Sequence, residues 1–299
     1  TVEATSAAFL ELSNPSQPNP TGSPALHTVS GTISFTDVDL TDRPVASAAF
    51  TSFSYANAAH TDITSSLTAA QLAAIANVDV PLTVVQAGGN TNNGSASWSY
   101  SVADGAFDFL ADGEILNLTY TATVDDRHGG VVTKPFTVKV TGSNDTAEIT
   151  SDPQVATIAE KADTHNSTAK DTASGAITFT DADLTDTHEV KITGVSASGV
   201  MTGLANGTVQ LSWLSLGPLT DSTDGVQGSK TWSFSAPDKY FDYLADGEAV
   251  TLTYTVQVDD HHGGVTWQDV AVTINGSNDA PEIADIAPQG LTEPTNTAA

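Results

Sequence analysis

A long-period duplication constrains this chain more than any other feature. Residues 124–131 read VDDRHGGV, and residues 258–265 read VDDHHGGV, 134 positions later. WSYSVADGAFDFLADGE at 98–114 matches WSFSAPDKYFDYLADGE at 232–248, and GSND at 142–145 matches GSND at 276–279, both at that same offset of 134. GTISFTDVDLTD at 31–42 matches GAITFTDADLTD at 175–186 at an offset of 144, so the first copy carries ten extra residues between Asp42 and Trp98 (144 − 134). A repeat of this length is a whole domain, not a solenoid unit that needs neighbours to fold.

Within each copy the hydrophobic period is two. ISFT, WSYSV, LTYTATV and FTVKVTG alternate apolar with small polar residues, and so do ITFT, WSFS, LTYTVQV and VAVTING. Val, Thr, Tyr, Phe and Trp suit a half-buried pleated surface. Turn clusters such as DGE, HHGG and NGT separate the runs. The pattern predicts an all-β chain of two tandem antiparallel Greek-key sandwiches arranged end to end. The domains are expected at 1–146 and 147–280, with 281–299 a linker and the start of a truncated next repeat. The boundary segment 146–153 contains one Pro and no Gly/Ser run, so it does not read as a flexible tether. LTAAQLAAIAN at 67–77 predicts a surface helix capped by Thr68. FDFLADGE and FDYLADGE predict tight helical turns anchored by Phe107, Leu110, Phe241 and Leu244, with Trp98 and Trp232 in the two cores. Residues 14–24 are Pro-rich and read as a loop, and the residues after about Gly290 are expected to be disordered.

Composition narrows the function. Thirty-six acids face nine Lys and Arg, a formal charge of −27. That balance argues against nucleic acid and anionic membranes as partners. It fits a chain that binds cations or stays soluble in a salty, extracellular setting. There is no cysteine to form a disulfide and no apolar run long enough for a membrane span.

The acids recur at matched places. The first element is Asp37 and Asp39 with Asp42, or Asp181 and Asp183 with Asp186. The second is Asp112 and Glu114, or Asp246 and Glu248. The third is the pair Asp125–Asp126, or Asp259–Asp260. The fourth is Asn144 and Asp145, or Asn278 and Asp279. Glu11 (or Glu3) and Glu160 add a fifth, and Glu293 repeats it. Calcium takes six to eight oxygens in loose geometry, and several short acidic turns supply them. Magnesium demands a tighter octahedron, and zinc prefers His or Cys. Asp and Asn are also ordinary turn residues, so a copied turn by itself yields the same repetition.

The combination of FDYLADGE, LTYTVQVDDHHGG, INGSNDAPEI and GVMTGLANGTV resembles the VCBS and cadherin-like repeats of large bacterial RTX-type adhesins, over nearly all of both copies. The resemblance implies calcium bound between domains. At the central joint it assigns Glu11 (or Glu3), Asp112, Glu114 and Asp145 from the first copy, Asp181, Asp183 and Asp260 from the second, and the Asn144 carbonyl. The other candidate metal residues are Asp37, Asp39 and Asp126 (or its neighbour Asp125) in the first copy and Glu160, Asp246, Glu248, Asn278 and Asp279 in the second. The expected function is a calcium-stiffened extender of a secreted or cell-surface adhesin that supports adhesion and biofilm formation. The expected partners are neighbouring repeats of a longer chain, and the fragment is expected to be a monomer.

An enzyme is not expected, because no GxSxG, HExxH or P-loop occurs. His128, His261 and His262 beside the acids read as turn-surface residues rather than zinc ligands. The alternative function is calcium-dependent binding of acidic polysaccharide, with Tyr55, Trp213 and Trp267 as stacking surfaces; their ordinary role is core or strand packing.

Overall fold

The computed structural model describes residues 1–11, 23–69, 72, 83–222, 226–281, 283 and 290. The chain forms two β-sandwiches in series. The first uses β1 (Val2–Ala4), β2 (Ala7–Leu10), β3 (Leu26–Thr36), β4 (Val45–Ala56), β5 (Thr83–Gln86), β6 (Asn93–Ala103), β7 (Ile115–Asp125) and β8 (Val131–Thr141). The second uses β9 (Glu148–Ile149), β10 (Gln154–Ala159), β11 (Lys170–Thr180), β12 (Glu189–Gly199), β13 (Leu214–Thr220), β14 (Gly228–Pro237), β15 (Ala249–Asp259) and β16 (Val265–Asn275). In the first, the sheets run β1-β3-β6-β5 and β2-β8-β7-β4; in the second they run β9-β11-β14-β13 and β10-β16-β15-β12. With the first two strands of each sandwich taken as A and A′ and the rest lettered in order, this is the ABED and A′GFC arrangement of Ig-like and cadherin-like domains. The strands that open the second sheets, β2 and β10, pair in parallel with β8 and β16, and the other pairings are antiparallel.

The alternating runs lie in the strands that bury one face. Leu118, Tyr120, Ala122 and Val124 of β7 point inward, as do Leu252, Tyr254, Val256 and Val258 of β15, while the threonines between them stay half-exposed. Trp98 packs against Phe136 at a ring separation of 5.0 Å, and Trp232 is equally buried in the second core. Phe107, Leu110, Phe241 and Leu244 are buried, and Leu110 and Leu244 close tight turns by donating their N–H groups to Phe107 and Phe241. One-turn 3₁₀ helices at Asp104–Ala106 and Asp238–Tyr240 lead into these turns.

NGT at 206–208, expected as a turn, instead opens a short helix, α1 (Gly207–Leu211), because the Asn206 side chain accepts the Val209 N–H and caps it. The expected helix at 67–77 lies mostly outside the described residues; Leu72 does donate its N–H to the Thr68 carbonyl at 3.0 Å. The expectations for 14–22 and for the residues after 290 also fall outside the described residues.

The turn after β7 and β15 explains its own sequence. Arg127 and His261 take positive φ of 64° and 66°, and Gly129 and Gly263 follow at 108° and 103°. At Gly130 and Gly264 a Cβ would sit 2.1 and 1.9 Å from the Asp126 and Asp260 carboxylates. The motif Asp-Asp-x-His-Gly-Gly is therefore a backbone requirement as much as a chemical one. Its product is an Asp260 carboxylate whose Oδ1 collects the N–H groups of His262 at 2.8 Å and Gly264 at 2.9 Å.

Removing the core tryptophan tests the packing. Trp232→Ala should lower unfolding stability by roughly 3–5 kcal/mol, read as a drop in the urea midpoint with an unchanged slope.

Candidate metal centre at the domain joint

The foot of the first sandwich meets the head of the second, and both faces are acidic. The first contributes Glu11 at the end of β2, Asp108 and Glu114 from the turn before β7, and Asn144 and Asp145 after β8. The second contributes Asp181, Asp183 and Asp186 after β11 and Asp260 after β15. The eight carboxylates in this set are all buried. One oxygen each from Glu11, Asp108 and Asp145 lies within 4.8 Å of the others.

Backbone hydrogen bonds hold the carboxylates and leave other oxygens over. Glu11 Oε2 accepts the Ser143 N–H at 3.0 Å, and Asp183 Oδ2 accepts the Asp145 N–H at 2.8 Å. Asp181 Oδ1 accepts the Asp183 N–H at 2.9 Å, which folds the loop back on itself. Asn144 Nδ2 donates across the joint to Asp260 Oδ2 at 3.1 Å. Glu114 accepts the Ala111 N–H, the Tyr55 hydroxyl and, from the second sandwich, the Thr185 hydroxyl at 2.9 Å. Glu11 Oε1, Asp183 Oδ1, Asp186 Oδ1 and Asn144 Oδ1 are buried with no hydrogen-bond partner. Buried acceptors are rarely left so, because each forfeits its hydration.

Burial and mutual repulsion set the protonation. Desolvation pushes Glu11 up to about 10, with the charges of Asp145, Asp183 and Asp108 adding to it. Asp183 is also pushed up to about 10 by burial and by Asp181, Asp186 and Asp145. Asp186 rises to about 6 by burial, although His262 lowers it, and burial raises Glu114 as well. Two such charges ~5 Å apart repel by about 3 kcal/mol at an effective dielectric of ~20. The set is therefore unstable as anions on its own, and a cation or protons must compensate it.

The donor chemistry fits a hard cation. The ligand-capable atoms are carboxylate and amide oxygens with loose spacing, as calcium accepts, and the chain has no thiolate. The unpartnered, buried oxygens set these acids apart from solvated turn residues.

An apolar plug aligns the joint. Leu184, between Asp183 and Thr185, is buried in the first sandwich's core cluster, and its N–H donates to the Phe109 carbonyl at 3.2 Å. Its counterpart 144 positions earlier, Leu40, is 78% exposed.

The structure sorts the expected residues. Glu11 rather than Glu3 reaches the joint; Glu3 is exposed and pairs with Lys134 at 3.3 Å. Asp260 rather than Asp259 is the inward member of its pair, since Asp259 lies 3.6 Å from Lys191 at the surface. Asp112 is exposed, on the rim of an open cleft that Glu114, Thr185, Asp186 and His262 also line. Asp37, Asp39 and Asp42 gather at the free head of the first sandwich with oxygens within 4.8 Å of one another, and Asp126 accepts the His128 and Gly130 N–H groups there.

At the free foot of the second sandwich, Glu160 accepts the Ser277 N–H at 3.0 Å, as Glu11 accepts that of Ser143. Burial pushes Glu160 up to about 7, with Asp279 adding to it. Asp246, Glu248 and Asn278 are exposed. Asp108, Asp186, Thr185 and Leu184 were not assigned from sequence. Asp108, between Phe107 and Phe109, and its counterpart Asp242, between Phe241 and Tyr243, were visible as a recurrence inside the best-matched stretch. Of the three aromatics considered for sugar stacking, Tyr55 and Trp213 are core side chains and Trp267 is exposed.

No family model matches the chain, and no curated protein matches it. Among solved structures, human CDH23 EC21-23 is 14% identical, with 91% of this chain and 67% of that chain covered and a TM-score of 0.35. The Yersinia pseudotuberculosis adhesin InvE is 11% identical over 91% of this chain and 58% of that one, with a TM-score of 0.32. CfaE, the adhesive subunit of CFA/I fimbria of enterotoxigenic Escherichia coli, is 9% identical over 89% and 82%, with a TM-score of 0.32. The strand order, not these likenesses, defines the fold.

The raised carboxylates give a signed pH dependence. Glu11 and Asp183 keep protons in the cation-free folded protein up to about pH 10, against ordinary values of 4.5 and 3.8. Between those limits the folded state binds more protons than the unfolded chain, so stability is fully present in acid and falls as pH rises. Melting curves in chelator should show a lower Tm at pH 9 than at pH 5. Saturating calcium should shrink that difference.

Proposed function

We propose that this chain is a calcium-rigidified extender segment of a large secreted or cell-surface bacterial adhesin, built from VCBS-type, cadherin-like repeats, that supports cell adhesion and biofilm formation. The observation that carries the reading is the set of four buried, unpartnered oxygens, three carboxylate and one the Asn144 amide, beside eight buried carboxylates drawn from both sandwiches. Glu11, Asp108, Glu114, Asn144 and Asp145 would hold the ion from one side, and Asp181, Asp183, Asp186 and Asp260 from the other. The ion supplies the positive charge that lets these carboxylates lie together ionised. The chain's own residues do the aligning: Leu184 seats the second head in the first foot, and Thr185 and Asn144 hydrogen-bond across the seam. Binding to the docked state alone stabilises it by mass action.

Both free ends repeat one half of the same joint. The head carries Asp37, Asp39, Asp42 and the exposed Leu40; the foot carries Glu160, Asp242 and Asp279, each with a buried unpartnered oxygen. That complementarity supports neighbouring repeats as the partners, and serial joints of this kind would make a stiff rod. Among the described residues no helix is long and apolar enough to cross a membrane. Polysaccharide binding calls for a cluster of exposed aromatics, and Trp267 stands alone of the three candidates.

Small-angle scattering and melting curves in calcium and in chelator test this. The expected result is a narrower distribution of domain orientations and a higher Tm in calcium, both lost in Asp183→Asn. Identical shape and Tm in the two conditions for the unmutated protein would sink the proposal.

A further inference from the structure

The second head contains a buried histidine that the first head lacks. The His188 side chain is fully buried between two carboxylates, with Nε2 2.9 Å from Asp181 Oδ2 and Nδ1 2.7 Å from Asp221 Oδ1. Its own N–H donates to Asp221 Oδ2 at 3.2 Å. Asp221 is held in turn by the Ser222 N–H at 2.9 Å, and the Ser222 hydroxyl accepts the Asp181 N–H at 2.8 Å. The ring also leans on Phe179 with centroids 4.9 Å apart. The residues from 181 to 188 are thus tied to the segment after β13 at three points.

Two features separate this from ordinary packing. First, each ring nitrogen faces a carboxyl group, Asp181 on one side and Asp221 on the other, so the ring ties Asp181 to a second acid and cannot turn without losing both contacts. Second, Pro44 occupies the matching place in the first copy, 144 positions earlier, and the same strands form there without an imidazole.

We infer that His188, anchored by Asp221, is a positioning residue that holds the Asp181 carboxylate in place for the cation shared by the two sandwiches. The inference rests on the calcium reading of the joint. Asp181 reaches the site already oriented: Oδ1 is fixed by the Asp183 N–H and Oδ2 by the ring. Partners of this kind, one shell out from the ion, commonly govern affinity because they fix the angle and charge of the ligand itself.

The test compares calcium titration calorimetry, and terbium luminescence lifetimes in H₂O and D₂O, across the intact chain, His188→Leu and His188→Gln. His188→Leu fills the space without a donor, and His188→Gln restores one N–H. The expected result is a roughly tenfold to hundredfold loss of calcium affinity in His188→Leu, partly recovered in His188→Gln. Terbium bound to the leucine variant should carry an additional coordinated water, which a purely structural loss would not produce. Should His188→Leu fail to fold, Asp221→Asn, whose side chain is partly exposed, should show the same two changes in smaller degree. Unchanged affinity and hydration in variants that fold would overturn the positioning role and leave the calcium joint standing. No calcium binding by the unmutated chain would overturn both.

Discussion

The crowding of carboxylates out of water at the seam between the sandwiches is the constraint on which the rest of the structure depends. Eight acids lie there in burial that ordinary charged residues avoid. Backbone N–H groups and two histidines, His188 and His262, offset part of the cost, and four oxygens are still left without partners. A fold that carries such a seam is conditional on what neutralises it. In the cation-free protein protons on Glu11 and Asp183 serve well past neutral pH, and a hard divalent cation is the proposed alternative. Under the proposed calcium reading, the same physics that penalises the seam without an ion would make it a strong coupling element with one, since the buried acids come from both sandwiches.

The sandwich core is the rigid instrument that brings these groups together. Each buried strand ends at a pole, so alternation along β7, β8, β11 and β15 delivers the acids that follow them to one end or the other. The glycines at 130 and 264 let the backbone curl under an aspartate so closely that no side chain fits. Gly142 and Gly276 act similarly, since a Cβ at either would lie 2.4 Å from the carbonyl of Leu110 or Leu244. The acidic motifs and the glycines beside them form one device, in which backbone shape sets carboxylate position.

The seam is not purely ionic. Leu184 is an apolar residue in an acidic loop, and its burial in the neighbouring core gives the joint a register that does not depend on the ion. Its counterpart Leu40 has the same sequence surroundings and lies bare. The contrast separates what a residue is from what a docking partner makes of it. His188 illustrates the converse: a residue with no counterpart in the other copy, placed where only this joint uses it.

Much of the fold was legible in the sequence because its signals are local or repeated. Period-two alternation marks the strands that bury a face, and the duplication at 134 marks two equivalent units. The edge strands β4 and β12 were not legible, because register shifts at Phe50/Ser52 and Ile192/Gly194 break their alternation and Ala and Ser dilute it. At the site, the acidic motifs alone placed Glu11, Glu114, Asp145, Asp183 and Asp260 at candidate positions. Only the tertiary structure chose Glu11 over Glu3 and Asp260 over Asp259, put Asp112 on the rim, and brought Asp108, Leu184 and His188 into the joint. The reason is physical. Composition and spacing determine which groups a loop carries, but burial, and with it the effective charge and hydrogen bonding of each group, depends on which surface the loop is pressed against.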